Sequence, residues 1–136
     1  MNQHMKHSHA SNAYRSAAVA TSPLSAVVML YDAAINGLKR TMASLEEKRF
    51  EDAFKNLERA TTILRALCHN LDFEKGGAFA ERMRDTYVTL IMSALHAYGK
   101  PDAAARFQKL IAALTDLRDS WAEVRMQRSK AQSTRS

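Results

Sequence analysis

Histidine is the residue type whose spacing in this sequence comes closest to supporting chemistry. His4, His7 and His9 stand close together near the N-terminus, where three imidazoles could bind a metal ion weakly. A polar leader without fixed structure has the same composition, and we favour that interpretation. His69 and His96 stand alone on separate segments, and the sequence contains neither of the helical metal-binding motifs His-Glu-x-x-His and Glu-x-x-His. We therefore predict no metal site.

A catalytic nucleophile and a phosphate-binding loop have equally little support. Cys68 lies on the apolar stripe of a predicted helix, which indicates a buried and inert thiol. A catalytic cysteine requires a basic partner, and the sequence identifies none. The stretch from Glu74 to Phe79 contains two adjacent glycines, but a phosphate-cradling loop needs more glycines and a preceding strand. The sequence therefore predicts no enzyme activity and no cofactor.

The elements that hold these residues are helices, because apolar side chains recur every three or four residues through most of the chain. Four such segments span roughly residues 23–46, 50–71, 77–98 and 101–127. Their similar lengths and short connections predict an all-α fold, an antiparallel four-helix bundle with a short N-terminal segment packing on it. The predicted core residues are Val27, Tyr31, Leu38, Leu57, Leu64, Met83, Leu90, Leu110, Leu114 and Trp121.

Glycines mark special positions in this pattern. Gly76 and Gly77 predict the corner between the second and third helices, where positive φ angles let the backbone reverse. Gly37 lies inside a helical pattern, where it costs about 1 kcal/mol relative to alanine. We therefore predict that another helix approaches Gly37 closely.

The two ends of the chain differ from the helical domain, which we predict to span residues 13–127. Residues 1–12 are polar and residues 128–136 are basic without large apolar side chains, so we predict that both are disordered. The ends hold most of the formal net charge of +6, and such tails attract polyanions without reading their sequence. We therefore do not expect nucleic acid to be the main ligand.

The cellular location follows from features that the sequence lacks. No apolar run approaches the length of a membrane span, and the N-terminus has no apolar core of the signal-peptide type. The single cysteine cannot form an internal disulfide. These observations predict a cytoplasmic protein that does not insert into a membrane.

Two predicted helices carry more apolar residues than one packing seam requires. Ile63 and Leu67 adjoin the main stripe of the second helix, and Val88, Met92 and Leu95 adjoin that of the third. These faces either meet neighbouring helices or form a groove that accepts the amphipathic helix of a partner. Both alternatives remain open at this point, and the five residues are the candidate partner-binding site.

Several short pieces of the sequence, taken in order, resemble the FliS family of flagellin export chaperones over roughly residues 13–126. The matching pieces are Ala13-Tyr14, Thr21-Ser22-Pro23, Met29 to Ile35, Asn70 to Gly77, Tyr87 and Asp119 to Glu123. The resemblance implies a helical bundle that binds the C-terminal part of flagellin and prevents its premature polymerisation. It also implies delivery of flagellin to the flagellar type III export apparatus, whose components would be further partners.

The family resemblance further implies an N-terminal segment that packs over the client groove in the free chaperone. Tyr14 and Val19 are the large apolar residues of this segment, and we predict that they form such a gate. The sequence departs from the family pattern at Leu24 and at Met92, where the family often has polar or charged residues. The alternative function is a structural or regulatory helical bundle that binds another partner helix or self-associates.

Overall fold

The computed structural model describes residues 13–20 and 23–135, the last of these without its side chain, and every regular element in this part is a helix. The short helix α1 comprises residues 13–20. Four long helices follow: α2, Leu24–Glu46; α3, Phe50–His69; α4, Phe73–Ala97; and α5, Ala103–Arg135. The predicted all-α fold is confirmed. The predicted leader, residues 1–12, lies outside the described residues.

The four long helices form the predicted antiparallel bundle. Connections of three to five residues reverse the chain after α2, α3 and α4, so successive helices lie side by side and run in opposite directions. Helix α2 packs between α3 and α5, and α4 packs between the same two helices on the far side. The contacts of α2 with its neighbours are extensive, whereas those of α4, especially with α5, are smaller.

The core fills the centre of this arrangement, and all ten predicted core residues are buried. Tyr31, Leu38, Leu57, Leu64 and Leu114 are among the largest side chains with almost no exposure to solvent. Burying a large aliphatic or aromatic side chain contributes about 1.5–3 kcal/mol, so these residues supply much of the stability.

Helices α2 and α3 approach each other closely at Gly37, as predicted. A Cβ atom placed on Gly37 would lie 3.0 Å from the Cβ of Ala60, so the absent side chain lets α2 and α3 approach each other. The buried hydroxyl of Thr41, one turn further along α2, donates a hydrogen bond of 2.8 Å to the carbonyl oxygen of Gly37. The contact between Gly37 and Ala60 places the Ala60 face of α3 against α2.

The corner between α3 and α4 lies earlier than the glycine pair predicted. Helix α3 ends at His69, and the carboxylate of Asp72 caps α4 by accepting a 2.9 Å hydrogen bond from the amide of Lys75. Gly77 does have positive φ, at 52°, and its non-helical backbone forms a kink that divides the first turn of α4 from the rest of the helix. Gly76 serves a different purpose, since a Cβ there would lie 2.7 Å from the Cβ of Ala20 in α1.

Helix α1 packs on the bundle beside this corner. Ala17 and Ala20 are buried, and the carbonyl oxygen of Ala20 accepts a 2.8 Å hydrogen bond from the amide of Asp72. Ala20 has only a methyl side chain and Gly76 has none, so the two backbones can come close. The predicted packing of a short N-terminal segment on the bundle is confirmed.

Helix α5 continues well beyond its predicted end. We expected the basic segment 128–136 to be disordered, but residues 128–135 are helical. The segment contains neither glycine nor proline to stop the helix, and its arginine, lysine, alanine and glutamine residues favour helix. The guanidinium of Arg128 also donates a hydrogen bond of 3.4 Å to the carbonyl oxygen of Ala18 in α1. The described helix therefore extends past the core, which ends at Val124.

Candidate functional site

A cleft with a mainly apolar lining lies beneath α1, between α4 and α5. Its volume is about 500 Å³. The apolar side chains that line it are Ala13, Tyr14 and Ala17 of α1, Phe79 and Met83 of α4, and Leu117, Trp121 and Val124 of α5. Phe79 meets Trp121 edge to face, with ring centroids 6.1 Å apart. We call this feature the α1 cleft.

The two residues predicted to form a gate occupy different positions on α1. Tyr14 is half-buried, packs against the core and lines the α1 cleft. Val19 is 47% exposed and lines a depression of about 540 Å³ between α1 and the end of α5. Ala17 and Ala20 are the residues of α1 that the bundle buries most deeply, and no sequence pattern distinguishes them from the other alanines of this segment. The small side chains at these positions let α1 lie flat on the bundle.

Three of the five candidate partner-binding residues form an exposed apolar row along α4. Val88, Met92 and Leu95 are each exposed by 40–49%, although all three are large and apolar. Tyr98, three residues after Leu95, meets Phe54 of α3 with ring centroids 6.1 Å apart. Residues three or four apart share a helix face, so the row lies on the side of α4 that is turned towards α3. We call Val88, Met92 and Leu95 the α4 stripe.

The other two candidates do not contribute to this row. Leu67 is only 2% exposed and belongs to the core, which contradicts its predicted place in a groove. Ile63 is half-buried against the core. Ile63 follows Ala60 by three residues and Leu67 follows it by seven, so all three lie on one face of α3. Ala60 on this face packs against Gly37 of α2. Their second apolar seam is therefore the α2–α3 interface.

Two phenylalanines that continue the apolar spacing of α3 towards its start lie on the surface. Phe50 is 59% exposed and Phe54 is 49% exposed. Both belong to the start of α3, and Tyr98 contacts both of them. Its ring meets the ring of Phe54, and its hydroxyl donates a 3.3 Å hydrogen bond to the carbonyl oxygen of Phe50. They extend the apolar surface near the α4 stripe. The apolar period alone could not predict that these two side chains are exposed, because it does not show where the helix that packs against α3 ends.

The α1 cleft and the α4 stripe lie on opposite sides of α4. Phe79 lines the cleft, and Val88 begins the stripe nine residues later. At 3.6 residues per turn, nine residues correspond to two and a half turns, which places the two side chains on opposite faces. Tyr14 therefore covers the cleft and leaves the stripe open.

Cys68 is half-buried and forms no disulfide. No group of three metal-ligating side chains occurs in residues 13–20 and 23–135, and none of the helices described there is long and apolar enough to cross a membrane. The leader that contains His4, His7 and His9 lies outside the described residues.

The buried titratable groups are two tyrosines. The hydroxyls of Tyr31 and Tyr87 form a hydrogen bond of 2.5 Å inside the core. Burial raises the pKa of Tyr87 to about 12 and raises that of Tyr31 well above its usual range. Both phenols therefore stay neutral at physiological pH, so neither can act as a base there.

Comparison with known proteins gives one consistent result. The profile of the family described as flagellar protein FliS matches residues 6–128 of this chain. The flagellar secretion chaperone FliS of Salmonella typhimurium is 29% identical to the chain over 110 residues. That alignment covers 80% of this chain and 81% of the relative.

Proposed function

The chain belongs to the FliS family of flagellar proteins, and from this premise we propose that it is a cytoplasmic export chaperone for flagellin. The proposed client segment is the C-terminal helical region of flagellin. Binding would keep flagellin from polymerising before export and would assist its delivery to the flagellar type III export apparatus. The binding of apolar helix faces requires no cofactor and no covalent step.

The observation that carries this proposal is the α4 stripe. Val88, Met92 and Leu95 expose nearly half of their apolar surface at helical spacing, along one line on a long helix. A row of this kind matches the apolar face of an amphipathic partner helix. Methionine suits such a surface, because its flexible thioether side chain adapts to different partners. An unfolded client must become ordered on binding, which limits its affinity and permits release.

The α1 cleft supplies a second place for the client. In the free chain, Tyr14 fills part of the cleft over Phe79 and Trp121. If α1 moves away, these apolar side chains become available to a client helix on the side of α4 opposite the stripe. An extended client could then contact both sides of α4. We therefore propose that α1 acts as a gate, with Tyr14 as its main contact.

The test uses purified chaperone and a C-terminal fragment of flagellin from the same bacterium. We expect the wild-type chain to bind the fragment in isothermal titration calorimetry. Met92→Asp should leave the unfolding free energy nearly unchanged, because the side chain is exposed, and should weaken binding about tenfold or more. Ser93→Asp is the matched control, since it adds the same charge at the neighbouring exposed position, which faces away from the stripe.

Three results would contradict the proposal at different levels. Failure of the wild-type chain to bind the flagellin fragment would rule out the client. Equal affinities of Met92→Asp and Ser93→Asp, or melting of Met92→Asp, would remove the α4 stripe from the binding site. Deletion of residues 1–21 should strengthen client binding or increase the binding of a hydrophobic dye. If neither changes, α1 is not a gate.

A further inference from the structure

The end of α5 carries a surplus of positive charge, although Asp119 and Glu123, within the two preceding turns of the helix, line a cleft with Arg125. Residues 124–136 contain four basic residues, Arg125, Arg128, Lys130 and Arg135, and no Asp or Glu. Helix α1 adds Arg15, which lines the same depression as Arg128 and Val19. The helical continuation of α5 thus gathers these charges at one end of the bundle.

Four arginines elsewhere on the surface of the described structure are paired with carboxylates, whereas four others, in α2, α3 and α4, are not. The guanidinium of Arg106 lies 2.8 Å from Asp102, that of Arg118 lies 2.9 Å from Asp32, and Arg49 bridges Glu47 and Asp52. Among the described residues, no carboxylate lies within ion-pair distance of the charged groups of Arg15, Arg125, Arg128 or Lys130. Their mutual repulsion is therefore screened by solvent and salt.

The helix fixes two of these arginines beside a small cleft. Arg125 and Arg128 lie one turn apart and line a cleft of about 220 Å³ with Ser129 and Gln132, against the first turn of α2. The described contact of Arg128 is a long hydrogen bond of 3.4 Å to the carbonyl oxygen of Ala18. The remaining N–H groups of both guanidinium forks can pair with carboxylate oxygens in the bidentate geometry that arginine favours.

We propose that this end of the bundle is a docking surface for an acidic segment of a partner protein, whose Asp or Glu carboxylates pair with Arg125 and Arg128. The surface is separate from the α4 stripe, so the partner is additional to the proposed client. The charge is complementary to that of a carboxylate-rich peptide, and the small polar cleft accepts individual side chains.

Two other polyanions fit these features less well. A helix that binds membranes needs a broad apolar face beside its charges, and Met126 is the one large apolar side chain that the end of α5 exposes in the described structure. Binding of a nucleic acid backbone is favoured by a long basic groove or by exposed aromatic rings for stacking. Here the basic residues surround one helix end, and the nearby aromatic residue Tyr14 is half-buried.

The experiment measures binding of the full chain to a fluorescein-labelled octapeptide of alternating Asp and Glu, by fluorescence anisotropy at low salt. An octapeptide of alternating Asn and Gln is the neutral reference. We expect the acidic peptide alone to bind. The double variant Arg125→Gln/Arg128→Gln should weaken binding about fivefold, as expected for the loss of two exposed ion pairs. The matched control is Arg59→Gln/Arg65→Gln, which removes the same charge from exposed positions of α3.

Each alternative outcome would overturn the proposal. Equal loss of binding in the two double variants would show attraction to net charge rather than to the α5 end. Tighter binding to phosphatidylserine vesicles or to duplex DNA, lost in Arg125→Gln/Arg128→Gln, would assign the surface to a membrane or a nucleic acid. Circular dichroism verifies that both double variants are folded. Arg125→Gln/Arg128→Gln should still bind the flagellin fragment, as tightly as the wild type or more tightly because Arg128 donates a hydrogen bond to Ala18 of the proposed gate. Retained flagellin binding separates this test from that of the proposed client.

Discussion

The hydroxyl groups of Tyr31 and Tyr87 lie 2.5 Å apart and join α2 to α4 across the centre of the bundle. The two ring centroids are 6.2 Å apart, and both side chains are almost completely buried. The hydrogen bond matters because a buried hydroxyl without a partner costs about 1–3 kcal/mol. It also ties α4 to the best-packed part of the core, although α4 makes the smaller contacts with its neighbours.

The tyrosine pair predicts a loss of stability at alkaline pH. A phenol ionises near pH 10 in the unfolded chain, whereas the pKa of folded Tyr87 is raised to about 12. The contribution of this raised pKa to the free energy of unfolding is complete below pH 10. It is lost as the pH rises towards 12, at about 1.4 kcal/mol per pH unit. Urea denaturation between about pH 9 and pH 11 measures this slope. Tyr31→Phe/Tyr87→Phe should show a shallower slope, and an identical slope would refute the assignment.

Leu64→Ala should reduce the free energy of unfolding by about 2–5 kcal/mol, because the side chain is 1% exposed and its removal leaves a cavity. Leu95→Ala removes the same atoms from a side chain that is 40% exposed, and it should cost less than about 1 kcal/mol. Chemical denaturation measures both variants. Similar losses in the two would mean that the α4 stripe belongs to the core.

Gly76→Ala should displace α1 without unfolding the bundle. The added Cβ would lie 2.7 Å from the Cβ of Ala20. Both Cβ atoms are attached directly to the backbone, so neither can rotate aside and α1 must move. Hydrogen exchange should then be faster at the amide of Asp72, which donates to Ala20 in the wild type. In a chain that lacks residues 1–21, Gly76→Ala should change the exchange rate of the Asp72 amide less than it does in the full chain. An unchanged exchange rate at Asp72 in the full chain would contradict this packing.

Asp72→Ala should destabilise the protein by about 1 kcal/mol. The carboxylate of Asp72 caps α4 by accepting a hydrogen bond from the amide of Lys75, and alanine cannot replace it. Asp72→Asn keeps an acceptor oxygen and should retain most of the stability. Thermal denaturation of the two variants compares them directly, and equal midpoints would show that the cap contributes little.

The sequence was sufficient for the helices and for the core, because a three- to four-residue apolar period determines both which residues form a helix and which face is buried. It could not assign the second apolar seams. Leu67 and Val88 occupy equivalent places beside a main stripe, yet one is buried and the other exposed. The difference arises because Gly37 brings α2 close to Ala60 on α3, whereas α4 lies less closely against its neighbours.

The end of α5 shows a second limit of sequence pattern. Residues 128–136 lack large apolar side chains, so burial cannot stabilise them, and we predicted disorder on that ground. Helical propensity and continuity with the preceding helix are enough to extend α5 without a core, since adding a residue to an existing helix avoids the cost of nucleation. The charge on these residues was visible in the sequence. Their arrangement around one helix was not.

The position of Trp121 has a spectroscopic consequence. It is the one tryptophan in the chain, it is 3% exposed, and it forms part of the α1 cleft against Phe79. Departure of α1 would let water reach the indole ring and shift its emission to longer wavelength, whereas a client helix in the same cleft would keep the ring dry. The intrinsic fluorescence of the unlabelled protein therefore distinguishes an empty open cleft from one that is occupied.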